Sequence, residues 1–111
     1  MNSDTLRQVA ANCRRKNERA VMFPCDWNPG RVRNPEMSGY FFTDLSAWEF
    51  IADKIDAGHP YEELRLDSPP GASAIVMKIE LTPTDPLLYV KIQVGFRNKA
   101  IGRSFHYSDL Y

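Results

Sequence analysis

Ionisable side chains recur at alternate positions in the C-terminal third of this sequence, and their types are those that cleavage of RNA without a metal ion requires. Glu80 could act as a general base, and His106 could donate a proton near neutral pH. Neighbouring cationic side chains could stabilise the negative charge of a phosphoryl transition state. The same pattern is also typical of a solvated sheet face, so both interpretations stay open. The candidate catalytic residues are Lys78, Glu80, Tyr89, Lys91, Arg103 and His106.

The segments that carry these residues are predicted to be three strands of an antiparallel meander. Residues 74–81, 88–95 and 100–107 alternate between apolar and polar side chains with a period of two. The two prolines within residues 82–86 exclude a helix from the first connection. The short link around Arg97-Asn98 favours a hairpin.

The length of this hairpin loop determines which side chains share a face of the sheet. We expect an even-membered loop, which gives the opposed pairs Tyr89–His106, Lys91–Ser104 and Gln93–Gly102. A loop of three or five residues would instead bring Arg103 and Phe105 to the face that carries Lys91, because a one-residue slip exchanges the two faces.

The connection before the hairpin is expected to place Glu80 beside Tyr89 and Lys78 beside Lys91. Two ammonium groups on opposed positions repel each other. A bound phosphate, or the carboxylate of Glu80, would relieve that repulsion.

Two helices are predicted to accompany the sheet. Ser3 or Asp4 caps the first helix, which extends to about Arg19 with a thin apolar stripe. Thr43 or Asp44 caps the second, over residues 45–57, whose face from Leu45 to Ile55 is apolar. The fold class is therefore α+β: one domain over residues 1–111, with an antiparallel sheet of three to five strands and the second helix packed on one face.

Residues 23–30 contain two prolines and a glycine, which exclude regular structure. Phe23 and Trp27 are poorly suited to water, so this stretch is expected to be an ordered loop that wraps the core. The short runs 40–42 and 63–66 are two further candidate strands.

Aromatic and basic residues in the N-terminal half are candidate binding residues. An aromatic loop with Phe41 and Phe42 could contact a partner protein, and a basic cluster could contact RNA through phosphates and stacked bases. The candidate binding residues are Phe23, Trp27, Tyr40, Arg14, Arg15 and Lys16.

Composition sets limits on the classes of partner. Lys and Arg number 14, as do Asp and Glu, so the net charge favours neither nucleic acid nor membrane. The charges are nevertheless segregated, with +4 over residues 1–35, −6 over 36–67 and +4 over 86–108. No apolar run is long enough for a transmembrane helix, and residues 1–18 lack a signal-peptide pattern. We therefore expect a cytoplasmic protein that binds no membrane.

The cysteines and histidines do not suggest a metal centre. Cys13 and Cys25 lie 12 positions apart, and His59 and His106 are remote from both, which is not the spacing of a zinc site. Two cysteines also make no disulfide framework. We expect each cysteine to be a buried free thiol, and we expect no metal ion and no cofactor.

The motifs "SAWEFIADKIDAG", "DSPPGASAIVMKIEL", "LLYVKIQ" and "IGRSFHYS" span about the last 65 residues. This part resembles a family of short, stand-alone bacterial proteins carried by mobile elements such as integron gene cassettes. Its final strands are also similar to those of RelE- and MqsR-like ribonuclease toxins, which end in a "YVK…SF" pair. That likeness falls on Tyr89, Val90, Lys91, Ser104 and Phe105, and it implies metal-independent cleavage of RNA.

Two functions are therefore expected. The first is a small bacterial protein, carried by a mobile element, that acts as a binding or protein-interaction module. It would pair with itself or with another protein through an exposed sheet edge or through the aromatic loop. The second is a toxin-like enzyme that cleaves RNA, and only this alternative makes RNA a partner.

Overall fold

Five strands form one mixed sheet in the computed structural model, which describes residues 1–108. The strands are β1 (Arg19–Trp27), β2 (Glu62–Arg65), β3 (Ser73–Ile79), β4 (Leu88–Val94) and β5 (Ala100–Tyr107). Their order across the sheet is β1-β5-β4-β3-β2. The predicted antiparallel meander and α+β class are confirmed, and β1 adds a parallel pair with β5 that the sequence did not predict.

Two α-helices, α1 (Ser3–Cys13) and α2 (Asp44–Asp56), contribute to one core with the sheet. Asn2, not Ser3 or Asp4, caps α1 by accepting a hydrogen bond from the Thr5 amide. Thr43 caps α2 as predicted, in a reciprocal pair of hydrogen bonds with Ser46. Among residues 1–108, no helix combines the length and the apolar content needed to cross a bilayer.

The first helix ends six residues before the predicted Arg19. Arg14 forms its C-cap, and the backbone of Arg15 is extended, so the chain leaves the helix before it enters β1. The Arg14 guanidinium then bonds to Asp53 and Asp56 of α2, at 2.7 Å each. The end of α1 is thereby fastened to α2.

The hydrophobic core lies between the helices and one face of the sheet. The alternate apolar residues of β3 and β4 point into it, as their period of two predicts. Leu45, which was predicted to share the buried face of α2, is instead 56% exposed. Fully enclosed large side chains include Ile51, Ile75, Met77, Ile79, Leu88, Val90, Ile92 and Phe105.

Residues 23–27 belong to a strand, so the prediction of an irregular loop was wrong for this segment. The register between β1 and β5 breaks between Val21 and Asp26. Pro24 lies inside that break, and a proline has no N–H to donate to the sheet. The proline therefore lies where the pairing between β1 and β5 is interrupted.

Residues 40–42 do not form a strand. Their pairing is limited to an isolated antiparallel bridge between Arg33 and Phe41. The amide of Phe42 donates to the carbonyl of Val32, and the amide of Asn34 donates to the carbonyl of Tyr40. These contacts fold residues 32–42 into an ordered hairpin-like loop.

A one-residue bulge in β5 compensates for a loop that is one residue longer than an even-membered loop. The loop between Val94 and Ala100 spans residues 95–99, so it is odd-membered, contrary to expectation. The register then shifts between Lys91 and Ile92, opposite the extra residue in β5. Because this shift restores the parity, Lys91 opposes Ser104, as predicted for an even loop.

The consequences of the bulge differ on its two sides. Tyr89 opposes His106 as expected, but Gln93 opposes Ile101 and not Gly102. Arg103 is the extra residue, and its guanidinium reaches Gln93. An even loop was expected to place His106 on the face of Lys91, and an odd loop was expected to place Arg103 there. The bulge allows both side chains to lie on this face.

The pairing of β3 with β4 is shifted by two residues from the prediction. Lys78 opposes Tyr89, and Lys91 opposes Val76, so the expected repulsion between opposed lysines does not arise. The connection over residues 80–87 is longer than expected, because Thr82 and Asp85 bond to each other and form a turn there.

Trp27 packs directly on the backbone of β5 at Gly102. A Cβ atom added to Gly102 would lie 2.8 Å from two carbons of the indole ring. The indole also lies 4.8 Å from the ring of Trp48 and 5.5 Å from that of Phe105, measured between centroids. The absence of a side chain at position 102 therefore admits Trp27 to the core.

We expect Gly102→Ala to destabilise the fold. Forcing an extra methyl against a packed ring costs about 1–3 kcal/mol, which lowers the Tm by roughly 5–15 °C in a domain of this size. Thermal unfolding monitored by circular dichroism measures the shift. Gly30→Ala is the control, since its Cβ would meet nothing within 4 Å. An unchanged Tm for Gly102→Ala would contradict this account.

Candidate functional site

The sheet face away from the helices carries the polar residues of β4 and β5. We call this the open face, and it is arranged in two rows across the strands. One row runs Asp26, Ser104, Lys91 and Val76, and the next runs His106, Tyr89 and Lys78. Three of the predicted catalytic residues, Tyr89, Lys91 and His106, are therefore neighbours, with Lys78 beside Tyr89.

His106 is held in one orientation. Its ring stacks on Tyr89, with centroids 5.4 Å apart and planes 27° apart. Its Nδ1 lies 2.8 Å from the carbonyl oxygen of Tyr107. Because a carbonyl only accepts, Nδ1 carries the proton, and Nε2 of the neutral ring has a free lone pair.

Lys91 lies diagonally across from His106. It opposes Ser104, which is two residues before His106 on the same strand. Diagonal neighbours of this kind are roughly 7–8 Å apart, within reach of a long side chain. Lys91 and His106 are both half-buried, so an imidazole and an ammonium group share a wall that solvent reaches.

Arg103 closes one end of the open face. One of its guanidinium nitrogens lies 2.9 Å from Gln93 Oε1 and 3.4 Å from the carbonyl oxygen of Ser68, and also contacts the sulfur of Met22. The loop that contains Ser68 is thereby held against the sheet. Arg103 therefore has structural contacts on this face, away from the row of His106.

The structure provides a different carboxylate from the one expected. Glu80 is exposed and directly follows β3, which is separated from β5 by β4. Asp26 instead opposes Ser104 on the neighbouring strand β1. Sequence reasoning missed Asp26 because residues 23–30 were interpreted as a loop. The apolar run from Ala20 to Phe23 was the one signal of a strand.

A cleft of about 370 Å³ lies beside this row, where β1 and β5 end. Asp26 and His106 line it from the sheet, and Asn28 and Arg31 line it from the turn that follows β1. Its lining is completed by Val32 and Tyr107. Three of these polar residues, Asp26, Asn28 and Arg31, lie within six positions of one another in the sequence, and His106 comes from the distant strand β5.

The aromatic candidates separate into two groups. Trp27 is half-buried among Trp48 and Phe105, and its Nε1 donates to Asp44 at 3.3 Å. Phe42 is buried, at 3% exposure. Tyr40 and Phe41 are open to solvent, at 65% and 51%. The backbone of Phe23 lies in β1, and its side chain is outside the described part of the structure.

The basic candidates also differ in their contacts. Arg14 is engaged with Asp56 and Asp53, and these hydrogen bonds raise the pKa of its guanidinium. This pairing of a basic with an acidic segment accounts for part of the charge segregation in the sequence. Arg15 and Lys16 are exposed at the end of α1.

Both cysteines are free thiols, in different surroundings. Cys13 is fully buried, and burial raises its pKa to about 12. Cys25 was also expected to be buried, but it is only half-buried, because it lies in β1 at the edge of the sheet. Within residues 1–108, no group of three or more His, Cys, Asp or Glu side chains is placed to hold a metal ion.

Comparison with known proteins assigns no family to the chain. It has no significant match among protein-family models, curated proteins or solved structures. Function is therefore inferred from the described side chains.

We expect the two thiols to react at very different rates in the folded protein. The reactive species is the thiolate, and a pKa of about 12 leaves Cys13 protonated at pH 8. A chromogenic disulfide reagent should titrate Cys25 first and Cys13 only after denaturation. Cys25→Ser should abolish the fast phase, and Cys13→Ala should retain it. Equal rates in the native wild type would contradict the burial of Cys13.

Proposed function

We propose that this protein is a protein-interaction module that pairs with a second copy of itself through residues 37–45. The observation that carries the proposal is the exposure of four large apolar side chains in this segment. Met37, Tyr40, Phe41 and Leu45 are 52%, 65%, 51% and 56% exposed. We call these four side chains the apolar patch.

The apolar patch is large enough to form the centre of an interface. A large apolar side chain offers roughly 150–250 Å², so these fractions leave on the order of 400 Å² of apolar surface in water. A standard interface buries about 800 Å² on each partner. The patch would therefore supply about half of that area, and a polar rim would supply the rest.

The patch is presented by an ordered backbone. The amide of Tyr40 donates to the carbonyl of Met37 at 3.0 Å, which closes a turn. The buried Phe42 anchors the segment, with its ring 5.1 Å from that of Phe105 and 5.2 Å from that of Phe50. An ordered loop loses little conformational entropy when it binds, so the exposed rings are suited to recognition.

Charges beside the patch favour a second copy of this chain as the partner. Arg33 lies over the ring of Phe41 at 5.9 Å, and Asp44 precedes Leu45 at the start of α2. In a twofold contact, the same surface meets itself, and the cation of one protomer can face the anion of the other. An apolar centre with both signs of charge at its border is self-complementary.

The proposed setting of this module is the bacterial cytoplasm, as cargo of a mobile element. This follows the resemblance of residues 46–108 to short cassette-borne proteins and rests on that resemblance alone. Pairing with itself requires no other gene product, which is compatible with a protein encoded on a mobile cassette.

We expect the wild type to dimerise in a concentration-dependent manner and the Tyr40→Ser/Phe41→Ser variant to be monomeric. Removing two central aromatic rings should raise the dimer Kd at least about tenfold, an energy of about 1.4 kcal/mol or more. Sedimentation velocity, with the chain mass of 12.7 kDa as reference, measures this change.

Phe96→Ser is the matched control for this experiment. Phe96 is 83% exposed, more than any residue of the patch, and lies in the β4–β5 loop. The control should therefore dimerise like the wild type. A wild type that stays monomeric at every concentration, or a control that dissociates equally, would exclude the proposed interface.

A second candidate function, cleavage of RNA, is favoured by the shared wall of Lys91 and His106. The free Nε2 of His106 could accept a proton and then pass it on, and Lys91 could stabilise the charge on a phosphate. Asp26, on the same face, would be the carboxylate in place of Glu80. This candidate agrees with the resemblance of the final strands to ribonuclease toxins.

Expression in bacteria separates this candidate from the first. A ribonuclease should arrest growth and degrade total RNA, and His106→Ala should lower the cleavage rate about 10²-fold or more. His59→Ala is a close control, because His59 is also half-buried and its Nδ1 also lies 2.8 Å from the next residue's carbonyl. Absence of both arrest and RNA cleavage in the wild type would eliminate the enzyme.

A further inference from the structure

The cleft between the ends of β1 and β5 is lined by opposite charges that do not pair with each other. Asp26 and Arg31 both line its 370 Å³. Yet among residues 1–108, neither side chain takes part in a salt bridge or a side-chain hydrogen bond. Each charge is therefore available to a ligand in the cleft.

The polar groups of the cleft divide into an accepting side and a donating side. On the sheet, Asp26 offers a carboxylate, and His106 offers the lone pair of Nε2. Asp26 opposes Ser104, two residues before His106, so these two acceptors are neighbours. On the turn, Arg31 and Asn28 offer N–H donors, and the Arg31 amide bonds to the Asn28 carbonyl at 3.1 Å.

We propose that this cleft binds a small zwitterion that carries an ammonium and a carboxylate group, as a free α-amino acid does. The ammonium group would donate to Asp26 and to Nε2 of His106, and the carboxylate would accept from Arg31 and Asn28. Such charge-assisted hydrogen bonds are stronger than neutral ones. Val32 and Tyr107 supply the wall against which an apolar side chain would pack.

Charge balance favours a zwitterion over an anion. A phosphate dianion placed beside Arg31 would also face Asp26, whose carboxylate repels it. A zwitterion satisfies both charges at once and adds no net charge to the cleft. The volume is also within the range of about 300–1,000 Å³ that is usual for small-molecule pockets.

The residues that line this cleft do not include any of the four side chains of the apolar patch. The cleft shares His106 with the RNA-cleaving candidate, but its ligand chemistry differs. Binding of a free amino acid and binding of an isolated phosphate therefore distinguish the two, and the same protein sample serves for both measurements.

Isothermal titration with L-leucine, N-acetyl-L-leucine, L-leucinamide and inorganic phosphate tests the proposal. L-leucine should bind the wild type, because it presents both charges. N-acetylation removes the ammonium charge and amidation removes the carboxylate charge, so each should raise the Kd about tenfold or more. Inorganic phosphate should bind more weakly than L-leucine.

Substitutions assign the two charges to their partners. Asp26→Asn should weaken the binding of L-leucine but not that of N-acetyl-L-leucine. Arg31→Gln should weaken the binding of L-leucine but not that of L-leucinamide. Asp67→Asn and Arg7→Gln are controls of the same charge change, because both residues are exposed and outside the cleft. Both controls should bind L-leucine like the wild type.

Three outcomes would overturn the proposal. The first is no heat of binding with L-leucine at millimolar concentration. The second is equal affinity for L-leucine and its N-acetyl form, which would mean that Asp26 has no role. The third is phosphate binding that is tighter than L-leucine binding and improves in Asp26→Asn, which would make the cleft an anion site and favour the RNA-cleaving candidate.

Discussion

The one-residue bulge in β5 is the constraint on which the chemistry of this protein depends. A β-strand turns successive side chains to opposite faces, so one extra residue exchanges every side chain that follows it. In β5, the residues up to Gly102 pair with β4 as a five-residue loop dictates. From Ser104 onward the pairing is displaced by one residue, so each side chain lies on the opposite face from the one that the loop alone would give. Phe105 therefore points into the core, and His106 points to the open face beside Tyr89 and Lys91. Without the bulge, the imidazole would lie among the helices and the phenyl ring would lie in water.

A second constraint connects the N-terminal segment to this arrangement. Trp27 fits only because Gly102 has no side chain, and the indole then packs on Trp48 and Phe105. This contact places the end of β1 alongside the end of β5, in the same direction. Asp26 consequently lies beside the row that contains His106. The packing of one aromatic ring thus determines which carboxylate faces the cleft.

Much of the fold could be predicted, because local patterns specify it. Alternation predicted β3, β4 and β5, and the cap at Thr43 predicted the start of α2. The remainder depends on contacts between distant residues. The pairing of β1 with β5 joins segments about eighty positions apart, and neither the bulge nor the two-residue register shift leaves a compositional signature. The candidate site was therefore predicted for Tyr89, Lys91 and His106, whose strands are adjacent in sequence, and was missed for Asp26.

The position of β5 between β1 and β4 has a consequence for how the chain folds during synthesis. β1 leaves the ribosome about eighty residues before its hydrogen-bonding partner β5 does. Until residue 107 emerges, Trp27 has no ring of Phe105 to cover it, and the edge of β4 is unpaired. The long loop that closes between these strands makes the final step slow relative to the local meander. During synthesis, β1 and its Trp27 therefore stay uncovered, and able to associate with other chains, until β5 has been translated.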